Sequence, residues 1–200
     1  MSWFTVLALV GCGHTLKAGA GPMIDSDGNT GMVVSGELGT HLLSARAATL
    51  PVAIRAEAAV TSEGVQGLVG FTYGVMIPAR GQATRTEPAR GWSGRGTFGV
   101  GAWIDGSGVD SGWRGALALT RGQLVYDRPD GDGMCLGSHE KSRMCHAWDR
   151  WRYANTGVEV ATTLRVVGSE GEEPGLDVIG WRMSLELVHE RGTLRDLDAR

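Results

Sequence analysis

Hydrophobic and polar residues alternate with a period of two along most of the chain, and no window of a dozen residues keeps a helical period. Turn-rich segments such as Asp25-Ser26-Asp27-Gly28-Asn29 interrupt the alternation. The pattern predicts seven strands, at about 32–44, 52–62, 66–78, 94–104, 113–126, 155–167 and 177–189. An eighth strand is expected from 15–23 or from 193–199. Long strands joined by short turns predict an antiparallel meander, which tends to close into a barrel because closure removes exposed edges.

The two faces of these strands differ in composition. One face is apolar and includes Val34, Leu38, Val52, Ile54, Val69, Phe71, Val75, Phe98, Val100, Val158, Val160, Trp181, Leu185 and Leu187. The opposite face holds small residues together with arginine and glutamate, and its candidate network consists of Glu37, Arg55, Glu57, Arg114, Glu159, Arg165, Arg182 and Glu186.

Two arrangements would bury the apolar face. A soluble β-sandwich or lipocalin-like barrel turns it inward, so that the charged face meets water. A membrane barrel turns it toward lipid and fills a narrow lumen with the second face. In such a lumen paired arginine and glutamate side chains would neutralise one another. The pattern predicts an all-β single barrel of about eight strands and leaves both arrangements open.

The connections between the predicted strands alternate in length. Those at about 79–93 and 127–154 are long, so one end of the barrel would carry large loops and the other tight turns. Loops on a rigid scaffold commonly carry recognition. Tryptophan and arginine dominate binding hot spots, which makes Trp148, Arg150, Trp151 and Arg152 candidate binding residues. The alternative for this cluster is a role at a membrane interface or in a core.

Aromatic residues fall near the ends of the predicted strands, at Trp92, Trp103, Trp113, Tyr126, Trp151 and Tyr153. This placement resembles the interfacial girdles of small outer-membrane β-barrel proteins. The resemblance implies an integral or associated outer-membrane location with membrane lipid as a partner. In a soluble barrel the same residues would plug the mouth.

The N-terminus begins with a short apolar run at residues 3–11, which suits a signal segment. The tetrad Leu9-Val10-Gly11-Cys12 resembles the lipobox of bacterial lipoproteins, a family in which the chain is cut before the cysteine and its thiol carries diacylglycerol. The resemblance implies a signal-like segment at 1–11, lipid attachment at Cys12, a linker or first strand at 12–31 and the barrel domain at 32–200. The alternative is a buried first strand with an inert cysteine.

Two further cysteines lie in the second long connection. An oxidising compartment would pair Cys135 with Cys145 as a disulfide. The neighbouring His139 and His146 would complete a Cys₂His₂ set, but their spacing matches no standard zinc finger. We expect a disulfide there, and neither a metal nor a cofactor.

Other chemistry is weakly indicated. A formal net charge of −3 gives no reason to expect a nucleic-acid partner. The string from Gly94 to Gly99 matches the dinucleotide-binding fingerprint, yet it lies inside an alternating strand rather than at a strand-to-helix turn. His41 shares a face with Glu37 and Ser35 and could mimic a hydrolase dyad, but a lumen or surface histidine with its hydrogen bonds satisfied is the favoured interpretation.

These observations predict a non-enzymatic, outer-membrane-associated small β-barrel lipoprotein. Its role would be structural or binding, through the loops 79–93 and 127–154, and its partners would be membrane lipid and another envelope protein. One alternative is a lipid-anchored soluble β domain, in the periplasm or at the cell surface, that binds a small apolar ligand. Another is a lipid-modifying barrel enzyme that uses His41.

Overall fold

Eight antiparallel β-strands follow one another around a closed barrel, and β1 pairs with β8 to complete the ring. The computed structural model describes residues 13–44, 48–77, 87–130, 148–169 and 175–196. Among these residues there is no helix that could cross a bilayer. The meander barrel of about eight strands is thereby confirmed. The strands are β1 (His14–Asp25), β2 (Thr30–Ser44), β3 (Thr49–Thr61), β4 (Gly64–Ile77), β5 (Ala89–Asp105), β6 (Gly108–Asp130), β7 (Trp148–Ser169) and β8 (Gly175–Asp196).

Several strands are longer than the alternation predicts. The eighth strand is β1, which contains 15–23, whereas residues from 193 onward continue β8 up to Asp196. Strand β5 begins at Ala89. The pairing of β6 with β7 extends to Asp130 and Trp148, next to the connection between the two strands. The long connections are therefore 78–88 and 131–147, and the prediction that Trp148, Arg150, Trp151 and Arg152 lie in a loop is wrong. Their mixed aromatic and charged sequence lacks the alternation that marks the other strands.

The two ends of the barrel differ in their connections. At the turn end, short connections at 26–29, 62–63, 106–107 and 170–174 join β1 to β2, β3 to β4, β5 to β6 and β7 to β8. The loop end carries the connections 45–48, 78–88 and 131–147, together with the start of β1 and the end of β8. The two long connections, 78–88 and 131–147, lie at the same end as predicted, whereas 45–48 at that end is short.

The apolar face of the strands points outward and the charged face points inward. Leu117 and Leu187 are 74% and 71% exposed, whereas Arg55 and Glu186 are 1% and 0% exposed. Of the two arrangements that the sequence left open, this is the one with the apolar face outward. The apolar-inward arrangement of a soluble sandwich or lipocalin-like barrel is not found.

Some inward-facing positions are glycines with other atoms close to where a Cβ atom would be. Gly70 and Gly101 are directly opposite each other on β4 and β5, and a Cβ atom added at Gly101 would lie 2.3 Å from the Val69 carbonyl oxygen. A Cβ atom at Gly19 would lie 2.7 Å from the Glu186 carboxylate. A side chain at Gly101 would collide with the backbone of β4, and one at Gly19 would meet the Glu186 carboxylate, so both positions favour glycine.

Candidate functional site

Ten ionisable side chains fill the middle of the lumen. Five are cationic and five are carboxylates, and all ten are nearly inaccessible to solvent. Their formal charges cancel, as buried charges require if they are to be stable. We call this set the lumen charge network; it consists of Lys17, Arg55, Arg95, Arg114, Arg182, Glu37, Glu57, Glu159, Glu186 and Glu190.

Arg55 on β3 lies at the centre of the network. Its Nε and Nη2 atoms donate to Glu57 Oε2 at 3.0 and 2.8 Å, and Nη2 also donates to both oxygens of Glu186 at 3.1 Å. Its Nη1 atom lies 3.7 Å from carboxylate oxygens of Glu37 and Glu159. One guanidinium therefore neutralises carboxylates from four strands, which ties opposite walls of the barrel together.

Arg114 and Arg182 extend the network toward the turn end. Arg114 Nη2 donates to Glu159 at 2.7 Å and to Glu186 at 3.1 Å. Arg182 donates to Glu57, and its guanidinium carbon lies 4.8 Å from the ring centroid of Trp103. Both cations are thus held by carboxylates of other strands, and the second is also covered by an aromatic ring.

Lys17 and Arg95 extend the network toward the loop end. Lys17 pairs with Glu159 and lies 3.6 Å from Glu37. Arg95 donates to Glu190 at 2.7 Å and to Glu37. Because Lys17 lies on β1 and Glu159 on β7, their contact spans the ring closure between the first and last strands.

A small polar cluster borders this layer. The Tyr153 hydroxyl lies 3.1 Å from His41 Nε2, 3.0 Å from Thr15 Oγ1 and 3.1 Å from Glu190 Oε1. His41 and Thr15 are both 0% exposed. The hydrolase dyad considered for His41 is not assembled, because its hydrogen-bond partner is Tyr153 while Glu37 is held by Arg95.

Apolar side chains close the lumen on both sides of the charges. Toward the loop end, five buried residues form one cluster with Trp151 packed against it: Met76, Ala89, Leu124, Tyr153 and Leu194. Toward the turn end, Met23, Val33 and Ala59 form a second cluster. Within the described part of the chain, the lumen is a filled interior with a polar middle and apolar layers on either side.

Seven of the eight residues predicted for the polar-face network lie in the lumen charge network, and Arg165 does not. Its guanidinium donates to Asp110 at 2.6 Å, to Asp105 at 2.7 Å and to Ser107 at 2.8 Å, at the turn end. The register of β7 against β8 shifts between Arg165 and Val166, which interrupts the inner–outer alternation at this position.

Three members of the network were not among the predicted site residues. Lys17 lies on β1, whose place in the barrel the pattern left undecided, and Glu190 lies one residue beyond the predicted end of the last strand. Arg95 is on the polar face of a predicted strand, so the alternation alone could have added it.

The β5–β6 turn that holds Arg165 also fixes a carboxylate at the turn end of the barrel. Hydrogen bonds from the Ser107 hydroxyl and amide and from the Trp103 indole, with the charge of Arg165, hold the pKa of Asp105 at about 2, below its ordinary value of 3.8. This carboxylate remains ionised at every pH at which the protein would normally function, and it locks the β5–β6 turn.

The predicted aromatic girdle is only partly found. Trp92 and Trp113 point outward and are 61% and 36% exposed. Trp103 and Tyr153 are 4% exposed and point into the lumen, where they cover the ends of the charge network. Their predicted interfacial position is wrong because the inner face also needs large side chains where the charges end.

The predicted binding residues do not form one cluster. Arg150 and Arg152 contact Asp127 at 3.0 and 3.1 Å on the outside of the loop end, whereas Trp151 packs inward. The side chain of Trp148 lies outside the described residues, as do Cys12, Cys135, Cys145 and the segment 1–11. Within the described ranges, no group of three or more His, Cys, Asp or Glu side chains is arranged to hold a metal ion.

No protein-family model, curated protein or solved structure matches this chain.

Proposed function

We propose that the chain is a membrane-spanning β-barrel with a closed lumen, which acts as a rigid scaffold and presents the connections at its loop end to partners. The observation that carries the proposal is the inverted distribution of side chains. The outer wall is apolar, and the charged groups lie inside, paired with one another. Water would favour the opposite arrangement, whereas a bilayer favours this one.

The outer wall is suited to a bilayer in extent as well as in composition. A tilted spanning strand needs about 9–11 residues, and the shortest strand, β1, has 12. On β8, Trp181, Met183, Leu185 and Leu187 form an uninterrupted outward row. We call this surface of outward apolar side chains the apolar belt. Polar or charged residues lie beyond it at both ends, for example Ser111 and Arg121 on β6.

The filled lumen favours a structural or binding role over transport. A conducting barrel needs a continuous wet path, but here the charge network lies between apolar clusters. We therefore propose a scaffold that neither conducts ions nor performs catalysis. The outer membrane of a bacterial envelope is the proposed location. Lipidation at Cys12 and a disulfide between Cys135 and Cys145 would accompany export.

Fractionation of the full chain tests the proposal. Membranes of an expressing Gram-negative host are washed with alkaline carbonate and then extracted with detergent, and the extract is run on gels with and without boiling. We expect the protein to resist carbonate, to need detergent and to migrate differently before and after boiling. In planar bilayers it should give no steady conductance.

The Cys12→Ser variant separates the proposal from a tethered soluble domain. An integral barrel would stay in the carbonate-resistant fraction without a lipid on Cys12. Release of this variant into the soluble fraction, with the fold intact, would overturn the spanning barrel and favour a lipid-anchored β domain.

A further inference from the structure

A groove lies at the loop end of the barrel and is lined by residues of β6, β7, β8, β1 and β2. It has a volume of about 680 Å³, and four of its lining residues carry basic side chains: His14, Arg150, Arg152 and Arg191. Leu16 and Leu38 form its wall on the side of the apolar belt and are 42% and 65% exposed. The groove thus combines a basic part at the rim with an apolar part that continues into the belt.

Among the described residues, the arginines of the groove outnumber the carboxylates that pair with them. Asp127 is the carboxylate that pairs with both Arg150 and Arg152, whose side chains remain 41% and 62% exposed. Arg191 is exposed and has no ion pair among the described residues. Among the described residues, two of the three guanidinium groups therefore share one carboxylate and the third has no ion-pair partner.

The turn end offers the opposite surface. Asp27, Glu63 and Asp177 are exposed there, and the one cation described at that end, Arg165, is held by Asp105 and Asp110. An anionic amphiphile would therefore be attracted to the loop end and repelled from the turn end. The described surface is therefore basic at the groove of the loop end and acidic at the turn end.

We propose that the groove binds the phosphate of an anionic phospholipid, with the acyl chains lying along Leu16, Leu38 and the adjoining belt. The inference rests on the membrane-spanning barrel proposed above and adds a specific lipid contact to it. Guanidinium groups bind phosphate oxygens through paired, charge-assisted hydrogen bonds. The groove's cations lie beside its apolar wall, which matches the order of headgroup and chain in a phospholipid.

The test begins with the detergent-extracted barrel, which is transferred into vesicles of phosphatidylcholine and phosphatidylglycerol and then extracted again. The measurement is the ratio of phosphatidylglycerol to phosphatidylcholine that stays bound to the protein. The test variant carries Arg152→Gln and Arg191→Gln. The matched control carries Arg90→Gln and Arg121→Gln, which removes the same charge from exposed positions at the same end but outside the groove. We expect the wild type and the control to retain phosphatidylglycerol preferentially, and the test variant to lose about tenfold of that preference.

Each other outcome overturns the inference. Equal loss in both variants would mean a diffuse charge effect without a groove site. Absence of any preference in the wild type, or displacement of the lipid by millimolar inorganic phosphate alone, would rule out recognition of the whole amphiphile. If the barrel inserts but shows no preference, the proposed function survives without this site; if none of the proteins enters vesicles, both fail.

Discussion

Glu186 and Leu187 are neighbours on β8 but lie on opposite sides of the barrel wall. Glu186 is 0% exposed and accepts hydrogen bonds from Arg55, Arg114 and Ser35, whereas Leu187 is 71% exposed. The same contrast holds along β1, which alternates strictly between exposed and buried residues. The inner face is held together by specific ion pairs, while the outer face makes few contacts within the chain and depends on its surroundings. Substitutions on the inner face should therefore lower stability by breaking ion pairs, and those on the outer face by making the wall unsuited to its surroundings.

The largest expected effect is on the inner face. Glu186→Gln would leave Arg55 and Arg114 short of a carboxylate in a sealed interior, and the expected loss of unfolding free energy is about 3–5 kcal/mol. Denaturant unfolding in detergent, followed by tryptophan fluorescence, measures it. Glu63→Gln on the exposed β3–β4 turn is the matched control and should change stability by less than about 0.5 kcal/mol. Equal stability of the two variants would show that the network contributes little.

The outer face is tested by placing a charge in the belt. Leu117→Arg should cost about 2–4 kcal/mol if this position faces the bilayer midplane, and membrane insertion should drop accordingly. Ser111→Arg, on the same face of β6 but at the turn-end rim, should cost about 0–1 kcal/mol. Carbonate-resistant yield of the two variants is the measurement. Similar yields for both would indicate that the outer wall faces water.

Glycine-to-alanine substitutions on the two faces should also differ in their effect on stability. Gly101→Ala would bring its Cβ to 2.3 Å from the Val69 carbonyl oxygen inside the barrel, and the expected destabilisation is about 1–3 kcal/mol. Gly115→Ala points outward, where no atom lies within 4 Å of an added Cβ, and it should be near neutral. Thermal unfolding in detergent distinguishes the two. A neutral Gly101→Ala variant would mean that β4 and β5 can separate easily.

The smallest expected effect is at the rim. The pKa of Asp105 is lowered to about 2 in the fold, so its carboxylate stabilises the protein above its ordinary pKa of 3.8 and loses that contribution as the pH falls toward 2. Wild type should therefore exceed Asp105→Asn by about 0.5–1 kcal/mol near pH 7 and lose most of that advantage near pH 2. A difference that is independent of pH would contradict the assignment.

The sequence was sufficient for the fold class and for most of the lumen. Alternation predicted the barrel, and Arg55, Glu57 and Glu186 were assigned correctly to the polar face. The pattern failed where contrast between alternate residues is low, as in Lys17-Ala18-Gly19-Ala20-Gly21 of β1, and where charges and aromatics are mixed, as in β7 from Trp148 to Tyr153.

Which residues meet across the lumen could not be predicted from alternation. Arg55 contacts Glu186 although they are 131 positions apart in the sequence. Such a contact depends on strand tilt and register around the closed ring, which period-two patterning does not encode. The direction of the apolar face was undecided for a related reason, because both arrangements satisfy the same pattern.

The pairing of β1 with β8 has a consequence for the order of assembly. Lys17 on β1 contacts Glu159 on β7, and Arg55 on β3 contacts Glu186 on β8. Neither contact can form until the last two strands have joined the barrel. An open sheet would leave these cations with only part of their carboxylate partners, Glu37 and Glu57, so partial rings are penalised and closure is cooperative. Because its contacts join distant parts of the chain, folding should be slow and should reach completion in a single late step.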